Sequence, residues 1–325
     1  MQDNTKKTLT IVIPTWNRAR YLDKNLEILD SYLKCGLDFK ILICNNGSTD
    51  NTSSVLEKWI CHEKIRIINH PENIKYDRNV ASGYLNFDTD FCFCLGDSKT
   101  LSFESLSKII TTINNEDIDA LVINTFSHEA QTDKYFDDVN NLISELSVTL
   151  ANISACVISK KFIEKERCER YYDSQFIHYG VFIDALCAQK EIYVKYDPSI
   201  KSSLISFPDE KQPHGWSSKV CSIWGKTWIA FIMSLPRNIN LDTKWDVVRN
   251  IGKRRHIIGI HHFVFAKINR DNNFIKDYKE NRLYMPLIST IPIFVYDILS
   301  FIPSFFYLWM RPILMRIPKC RRKLI

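Results

Sequence analysis

Residues 91–100 are Phe-Cys-Phe-Cys-Leu-Gly-Asp-Ser-Lys-Thr, an apolar run that stops at a glycine-aspartate pair. An aromatic-rich run bounded by glycine is typical of a buried strand in a sheet that is covered on both faces. Asp97 therefore stands where a strand leaves the core. On this stretch alone, Asp97 is either a turn residue, as in many Gly-Asp turns, or a ligand-binding carboxylate at a strand end.

The preceding residues alternate between apolar runs and helical patterns. Strands are predicted at 9–13, 39–44 and 65–68, and helices at 19–33 and 77–85. Pro14 is predicted to end the first strand, because proline cannot donate to the hydrogen-bond ladder of a central strand. Strands separated by helices imply right-handed parallel crossovers and hence an open α/β sheet.

Polar residues follow each of the four predicted strands, at 14–18, 45–50, 69–78 and 96–99. In an open α/β sheet, ligands bind outside the carboxyl ends of the strands. The four groups are therefore expected to meet at one edge of the sheet, called the rim below.

The later sequence continues the pattern and then changes. Further strands are predicted at 119–123, 155–158 and 192–196, the last closed by Asp197-Pro198, with a helix at 176–189 and a polar insertion at 127–141. After Pro208 the sequence is rich in Trp and Ile at helical spacing.

Composition excludes several classes of protein. The 325 residues are 45% hydrophobic and 25% charged, as in soluble globular proteins. The net charge is +6, and residues 285–325, with six basic residues and one acid, carry +5 of it. The rest of the chain is therefore nearly neutral and does not indicate a basic face for nucleic acid. The ten cysteines include no Cys-x-x-Cys pair and are interpreted as reduced and mostly buried. No signal peptide is apparent, which predicts a cytoplasmic protein.

The segment 285–309 is mostly apolar and aromatic, and a basic cluster follows it. It is long enough to span a bilayer, but Asp297 and three prolines disfavour a span. An interfacial segment whose cations contact anionic headgroups accommodates both features. A true span and a buried core helix are the alternatives.

The rim residues resemble a known family. The motifs are Ile-Val-Ile-Pro-Thr-Trp-Asn-Arg at 11–18, Asn-Asn-Gly-Ser-Thr-Asp-Asn-Thr at 45–52, Glu-Asn-Ile and Arg-Asn within 72–79, and Leu-Gly-Asp at 95–97. In this order they are similar to the nucleotide-sugar-binding half of family 2 glycosyltransferases with a GT-A fold.

The resemblance implies a mostly parallel sheet flanked by helices, a helical C-terminal region, and inverting transfer of a sugar from a nucleoside diphosphate donor. We accordingly expect a catalytic domain at 1–208, with a nucleotide-sugar-binding half at 1–100 and an acceptor half at 101–208. A helical extension at 209–284 and a membrane-association tail at 285–325 follow.

By the resemblance, the donor contacts rim residues. Asn45 stands where the family commonly has Asp, Arg78 is either a diphosphate ligand or a solvated helix residue, and Asp50 is expected to hold its loop. The donor-binding candidates are Pro14, Thr15, Asn17, Arg18, Asn45, Asn46, Ser48, Asn73, Arg78, Asp97, Ser98 and Lys99.

Asp97 is also the candidate ligand for Mg²⁺ or Mn²⁺, which would offset charge on the leaving diphosphate. The family usually has two or three successive carboxylates here, whereas this chain continues with Ser98 and Lys99. Lys99 can supply positive charge itself, so metal dependence is left open.

An inverting transfer needs a base for the acceptor hydroxyl. Counting back from Pro198, the position of the family's acid falls at 178–180, where no acid stands. His178 is the first candidate because imidazole titrates near neutral pH, and Asp184 and Asp173 are the alternatives.

These expectations combine into a hypothesis for function. The protein is expected to transfer a sugar to a polyprenyl-linked glycan in bacterial surface polysaccharide synthesis, at the inner leaflet of the inner membrane. Segments 176–180 and 152–159 are also similar to O-antigen deoxyhexosyltransferases. A binding module with a degenerate GT-A fold is one alternative. A nucleotidyltransferase is another, although 14–18 lacks the glycine of a phosphate loop.

Overall fold

The computed structural model describes residues 6–125, 132–207, 217–255, 259–289 and 291–307. The chain forms two compact units. The first comprises residues 1–207 and 235–239, and the second comprises residues 208–234 and 240–325.

The first unit is built on one mixed sheet. Its described strands are β1 (Leu9–Thr15), β2 (Lys40–Asn45), β3 (Ile65–Asn69), β4 (Phe91–Cys94), β5 (Lys99–Leu101), β6 (Ala120–Asn124), β7 (Lys134–Phe136), β8 (Cys156–Ser159) and β9 (Val194–Leu204). The strand order is β3-β2-β1-β4-β8-β6-β9-β5, and β7 pairs with β9. Strands β3, β2, β1 and β4 are parallel neighbours, β8 is antiparallel to both of its neighbours, and β6 is parallel to β9.

Helices connect and cover this sheet. In the described part of the first unit they are α1 (Ala19–Lys34), α2 (Thr52–Glu57), α3 (Tyr76–Asn86), α4 (Phe103–Asn115), α5 (Val139–Leu150), α6 (Lys165–Arg170) and α7 (Ile177–Cys187). Leu22, Leu26 and Leu29 of α1 are fully buried in one core cluster with the apolar residues of β1 and β2. The predicted α/β fold with a mostly parallel sheet is confirmed.

Pro14 lies inside a central strand, so the prediction that it ends β1 is wrong. It is paired in register with Cys44 of β2, and β1 continues to Thr15. The carbonyl of Val12 accepts from Leu95 on the β4 side, while that of Thr15 accepts from Asn46 on the β2 side. By the alternation of a strand, the nitrogen of Pro14 points toward β4 beyond the last β1–β4 pair, where no ladder bond is lost.

The last predicted strand is also corrected, because β9 continues through Asp197-Pro198 to Leu204. The register with β6 jumps from Ile123–Asp197 to Asn124–Lys201. A bulge of this kind gives Pro198 a position that requires no ladder bond. Of the predicted polar insertion, 127–131 lie outside the described residues, and the remainder contains β7 and the start of α5.

The second unit is helical where it is described, as predicted for the sequence after Pro208. Its helices are α8 (Trp228–Ser234), α9 (Leu241–Arg255), α10 (Ile260–Ile268), α11 (Asn272–Asn281), α12 (Met285–Ile288) and α13 (Ile293–Phe301). The buried carboxylate of Asp277 accepts the backbone N–H groups of Cys221 and Ser222, which ties α11 to the segment before α8.

The predicted tail begins within this helical unit. Met285 and Ile288 of α12 are buried, and a side chain at Gly252 of α9 would collide with the carbonyl of Ile288. Asp297 accepts from the guanidinium of Arg282 and from the hydroxyl of Tyr278. Within the described residues, no helix has both the length and the hydropathy that crossing a bilayer requires. The basic cluster at 311–323 lies outside the described residues.

Candidate active site

The Gly-Asp pair forms a tight turn between β4 and β5. The Lys99 N–H donates to the Gly96 carbonyl at 2.8 Å, which closes the turn around Asp97 and Ser98. The Gly96 N–H donates to the buried Ser154 hydroxyl at 3.0 Å. The fully buried Asn25 amide of α1 donates to the carbonyls of Asp97 and Lys99, at 3.3 and 2.8 Å. The turn is therefore held by residues from two distant parts of the chain.

The Asp97 carboxylate points toward the end of β1. The buried Thr15 hydroxyl donates to Asp97 Oδ2 at 3.1 Å. Burial raises the pKa of Asp97 to about 6, and the charge of Arg18 and the Thr15 hydrogen bond oppose that rise. Thr15, Arg18 and Asp97 thus come together at the rim. Carboxylates with a strongly raised pKa are common at functional sites, so Asp97 is a candidate for a role beyond closing the turn.

Side-chain amides join the loops after β1 and β2. Asn17, at φ 53°, donates its N–H to Ser48 Oγ at 2.9 Å, and its Oδ1 accepts the Thr49 N–H at 2.7 Å. Asn45 donates through Nδ2 to Asn69 Oδ1 at 3.1 Å. Asn17, Asn45 and Ser48 are thus at the rim, where part of their hydrogen-bonding capacity maintains the loops.

The loop after β3 lies directly on the loop after β2. Asn46 donates through Nδ2 to Asn73 Oδ1 at 3.2 Å and accepts the Ile74 N–H at 2.9 Å. Gly47 has φ 63°, and a Cβ there would lie 2.4 Å from the carbonyl carbon of Glu72. Both the backbone conformation and the close approach require glycine in this motif.

Asp50 holds its loop, as expected. Its carboxylate accepts the Thr52 N–H at 3.0 Å, in the first turn of α2, and the Ala19 N–H at 3.1 Å, in the first turn of α1. Although burial raises the pKa of Asp50, the hydrogen bonds from the Thr52 hydroxyl and from the Ala19 and Thr52 N–H groups outweigh that effect and lower it overall. The carboxylate therefore fixes the start of two helices beside the rim.

Arg78 is not simply solvated. Its Nη1 donates to both oxygens of Asp173, at 3.2 and 3.3 Å, and its guanidinium lies 4.6 Å from the centroid of the Tyr172 ring. Lys75 Nζ donates to the same carboxylate at 2.9 Å. Hydrogen bonds from Lys75 and then Arg78 lower the pKa of Asp173, which makes it a weak proton acceptor.

Asp77 is a feature that the sequence analysis missed. It is buried and accepts the N–H groups of Gln175, at 2.9 Å, and of Ile177 at the start of α7, at 3.4 Å. Burial raises its pKa to about 6. An acid in the first turn of a helix is ordinary helix chemistry, so no sequence signal distinguished Asp77.

His178 is the second residue of α7 and is buried. Its Nδ1 lies 3.3 Å from the hydroxyl of Tyr76, the first residue of α3, and the two rings meet edge to face. Burial and the neighbouring Cys94, at the end of β4, raise the pKa of Tyr76 well above its usual value. The Tyr76 hydroxyl therefore stays protonated and can hold the His178 ring in place.

Asp184 lies on a different face of α7. Its Oδ2 accepts from Arg170 of α6 at 3.0 Å and from the Tyr171 hydroxyl at 3.1 Å. Six residues at about 3.6 per turn place it roughly a third of a turn around the helix from His178. A Cβ at Gly180 would lie 2.4 Å from the Tyr171 ring, so that glycine serves the same packing.

The acidic residues suit a divalent metal only in part. No group of three His, Cys, Asp or Glu side chains that could hold a metal occurs in the part of the chain that the structure describes. Asp97 offers one carboxylate, beside the hydroxyl of Thr15. Mg²⁺ commonly binds one or two carboxylates together with substrate phosphates, so a shared site fits and an all-protein site does not.

Trp16 is a further rim residue that the sequence analysis did not select. It directly follows β1, and half of its surface (50%) is exposed. An exposed indole offers a flat apolar face on which a planar ligand can stack.

Comparison with known proteins decides the family. The model for glycosyl transferase family 2 matches residues 10–184, more than half of the 325 residues. The chain belongs to glycosyl transferase family 2. The matched region contains the whole rim and most of α7 of this glycosyltransferase.

Its sequence relatives are glycosyltransferases. An abequosyltransferase of Salmonella typhimurium is 29% identical over 110 residues, which are 33% of each chain. A dolichyl-phosphate beta-glucosyltransferase of Trichomonas vaginalis is 28% identical over 136 residues, 39% of this chain and 41% of the relative. The chain thus aligns with well under two thirds of either protein's length.

Solved structures share the GT-A fold. The structure of residues 1–349 of S. aureus TarS superimposes with a TM-score of 0.54 at 14% identity, covering 86% of this chain and 83% of that one. A mannosyltransferase of Pyrobaculum calidifontis, in complex with GDP-Man and Mn²⁺, gives 0.51 at 10% identity over 99% and 84% of the two chains.

Proposed function

We propose that this glycosyltransferase moves a sugar, with inversion, from a nucleoside diphosphate donor to a polyprenyl-linked glycan in bacterial surface polysaccharide synthesis, of the O-antigen or capsule type. The observation that carries the proposal is the meeting of Thr15, Arg18 and Asp97 at the carboxyl ends of β1 and β4. The similar abequosyltransferase, and TarS in complex with UDP-GlcNAc, support a sugar nucleotide as donor.

The rim offers positive charge where a diphosphate leaving group gains negative charge. Arg18 lies close enough to Asp97 to influence its pKa, and Lys75 and Arg78 stand at the start of α3, which follows the loop after β3. Arginine matches phosphate oxygens with two parallel N–H donors. When bound by Asp97 and the diphosphate, Mg²⁺ or Mn²⁺ adds Lewis-acid charge there. The Mn²⁺ complex of the Pyrobaculum mannosyltransferase supports a divalent ion.

His178 is proposed as the base. Its buried imidazole stands at the first turn of α7, and Tyr76 lies within hydrogen-bonding distance of Nδ1. That contact can fix the ring while Nε2 takes the proton of the acceptor hydroxyl. Asp173 forms ion pairs with Lys75 and Arg78, and Asp184 forms one with Arg170 of α6. Both carboxylates are therefore weaker candidates for the base.

The exposed apolar side chains of α13 support the proposed membrane location and the lipid-linked acceptor. Phe294, Ile298 and Phe301 expose 60%, 57% and 75% of their surface along one stripe, whereas Tyr296 and Ser300 are buried on the opposite side. Arg282 compensates Asp297, and basic residues follow in the sequence at 311–323. An exposed apolar stripe followed by cations suits an anionic bilayer surface, where a polyprenyl-linked acceptor resides. We therefore place the enzyme at the inner leaflet of the inner membrane.

Slow hydrolysis of a nucleotide sugar in the absence of acceptor tests the reaction. We expect His178→Ala to abolish transfer and leave nucleotide binding unchanged, whereas Asp184→Asn, on the other face of α7, retains turnover. NMR of the anomeric proton reports inversion. Near-normal turnover by His178→Ala would reassign the base.

A binding module is the second candidate, because the described residues offer a single carboxylate at the rim turn and no acidic residue at the start of α7. Saturable nucleotide-sugar binding with no hydrolysis and no transfer would favour this candidate over the enzyme.

A further inference from the structure

Three non-glycine residues with left-handed backbone meet beside the rim. Lys75 has φ 72°, Asp173 has φ 64° and Gln175 has φ 66°, and they are three of the five such residues in the described chain. This conformation is unfavourable for residues with a Cβ and persists only where the surroundings impose it.

Two sets of contacts surround these residues. Asp77 accepts the Gln175 and Ile177 N–H groups from the buried side. On the exposed side, Lys75 and Arg78 hold the Asp173 carboxylate, 53% of which is exposed. Exposed ion pairs contribute little free energy because water screens them, so the outer contacts are the ones that a ligand can replace.

We propose that Lys75, Arg78 and the Tyr172 ring form a diphosphate-binding cradle, that Asp173 occupies this cradle in the structure, and that an incoming diphosphate displaces it. This inference rests on the proposed function, which supplies the ligand class. It adds the Tyr172 ring and an internal competitor, the Asp173 carboxylate, that the ligand must replace.

Charge and geometry favour the exchange. A diphosphate ester carries more negative charge than one carboxylate and can engage the guanidinium of Arg78 with two oxygens. The central carbon of that guanidinium lies 4.6 Å from the centroid of the Tyr172 ring, which adds a cation–π contact to the cradle. Once Asp173 is displaced, residues 172–174 lose their tie to Lys75 and Arg78, while Asp77 continues to hold the start of α7.

Two sources of diphosphate are possible, the sugar nucleotide and the prenyl diphosphate of the acceptor. Inorganic pyrophosphate is the probe for the shared chemistry. Competition by UDP, GDP or CDP would assign the cradle to the donor, and competition by geranyl diphosphate to the acceptor. The absence of competition by all four would overturn the proposal.

Calorimetric titration of the full chain with pyrophosphate tests the cradle. We expect Asp173→Asn to tighten binding about threefold to tenfold, and Arg78→Gln to weaken it at least about tenfold. Asp88→Asn is the matched control, since Asp88 is equally exposed at 53% and pairs with Lys40 at 2.9 Å. Asp88 precedes the N-terminal end of β4, whereas the Asp97 turn follows the C-terminal end of that strand. Asp88→Asn should therefore leave the Kd for pyrophosphate unchanged.

Hydrogen exchange separates displacement from a simple change in charge. In the wild-type chain, pyrophosphate should speed amide exchange at 172–174. Unchanged exchange there, or equal affinities for wild type and Asp173→Asn, would overturn the proposal.

The two proposals fail separately. Pyrophosphate binding that depends on Asp173, in a protein that never turns over a sugar nucleotide, would refute the proposed function alone. Turnover with binding indifferent to both Arg78 and Asp173 would refute the cradle alone.

Discussion

Replacement of Asp97 by asparagine should stabilise the fold while removing activity. Burial raises the pKa of Asp97 from 3.8 to about 6, so the folded chain holds this proton more tightly than the unfolded chain. At about 1.4 kcal/mol per pKa unit, the ionised carboxylate costs at most about 3 kcal/mol of folding free energy. Since the residue is only partly buried, we expect about 1–2 kcal/mol.

The direction of the Asp97 pKa shift determines how the stability difference depends on pH. The cost is complete above about pH 7 and disappears as the pH falls below about 3, where the carboxyl is protonated in both states. Asp97→Asn keeps an oxygen acceptor for the Thr15 hydroxyl. Urea unfolding should therefore show the variant more stable than wild type at pH 8 and equal to it near pH 3. Sugar-nucleotide hydrolysis should fall at least about a hundredfold.

Asp50→Asn is the matched comparison. Its hydrogen bonds to Thr52 and Ala19 lower the pKa of Asp50, so the ionised form contributes stability above pH 4. We expect this variant to lose about 1 kcal/mol at pH 8. If Asp97→Asn also loses stability at pH 8, Asp97 is a structural turn residue and the reasoning above is refuted.

Further outcomes follow from other contacts. Tyr76→Phe should lower kcat and shift the acid limb of the pH–rate profile with little change in KM, and an unchanged profile would separate Tyr76 from the base. Ser154→Ala, which leaves the Gly96 N–H without its partner, should cost about 1 kcal/mol in unfolding free energy. EDTA should slow turnover, and added Mn²⁺ or Mg²⁺ should restore it. Turnover that resists the chelator would indicate that Lys99, and not a metal ion, supplies positive charge for the leaving diphosphate. Ile298→Asn with Phe301→Asn should reduce sedimentation with anionic vesicles, and the exposed Ile60→Asn should not.

Local sequence patterns predicted the rim because the carboxyl ends of parallel strands share one edge. The Gly-Asp pair after β4 and the Asn-rich loop after β2 are adjacent for that reason. The predicted end of β9 failed because a bulge places Pro198 where no ladder bond is needed. A bulge depends on the partner strand, which a local pattern does not contain.

Contacts between residues far apart in the chain could not be predicted from local sequence patterns. Arg78 and Asp173 are 95 residues apart, and their pairing decides that neither is simply solvated. Asp77 resembles any acid in a first helical turn until α7 is placed against it. Motif position favoured His178 over Asp184, and the structure shows that His178 contacts Tyr76 whereas Asp184 is paired with Arg170 of α6.

The most direct test of the central claim is a panel of nucleotide sugars offered to the full chain with Mg²⁺ or Mn²⁺, followed by ligand-observed NMR. The account predicts that at least one nucleotide sugar binds saturably and is slowly hydrolysed, and that Asp97→Asn eliminates the hydrolysis. If no nucleotide sugar binds, or if hydrolysis persists in Asp97→Asn, the rim at Asp97 is not the donor site.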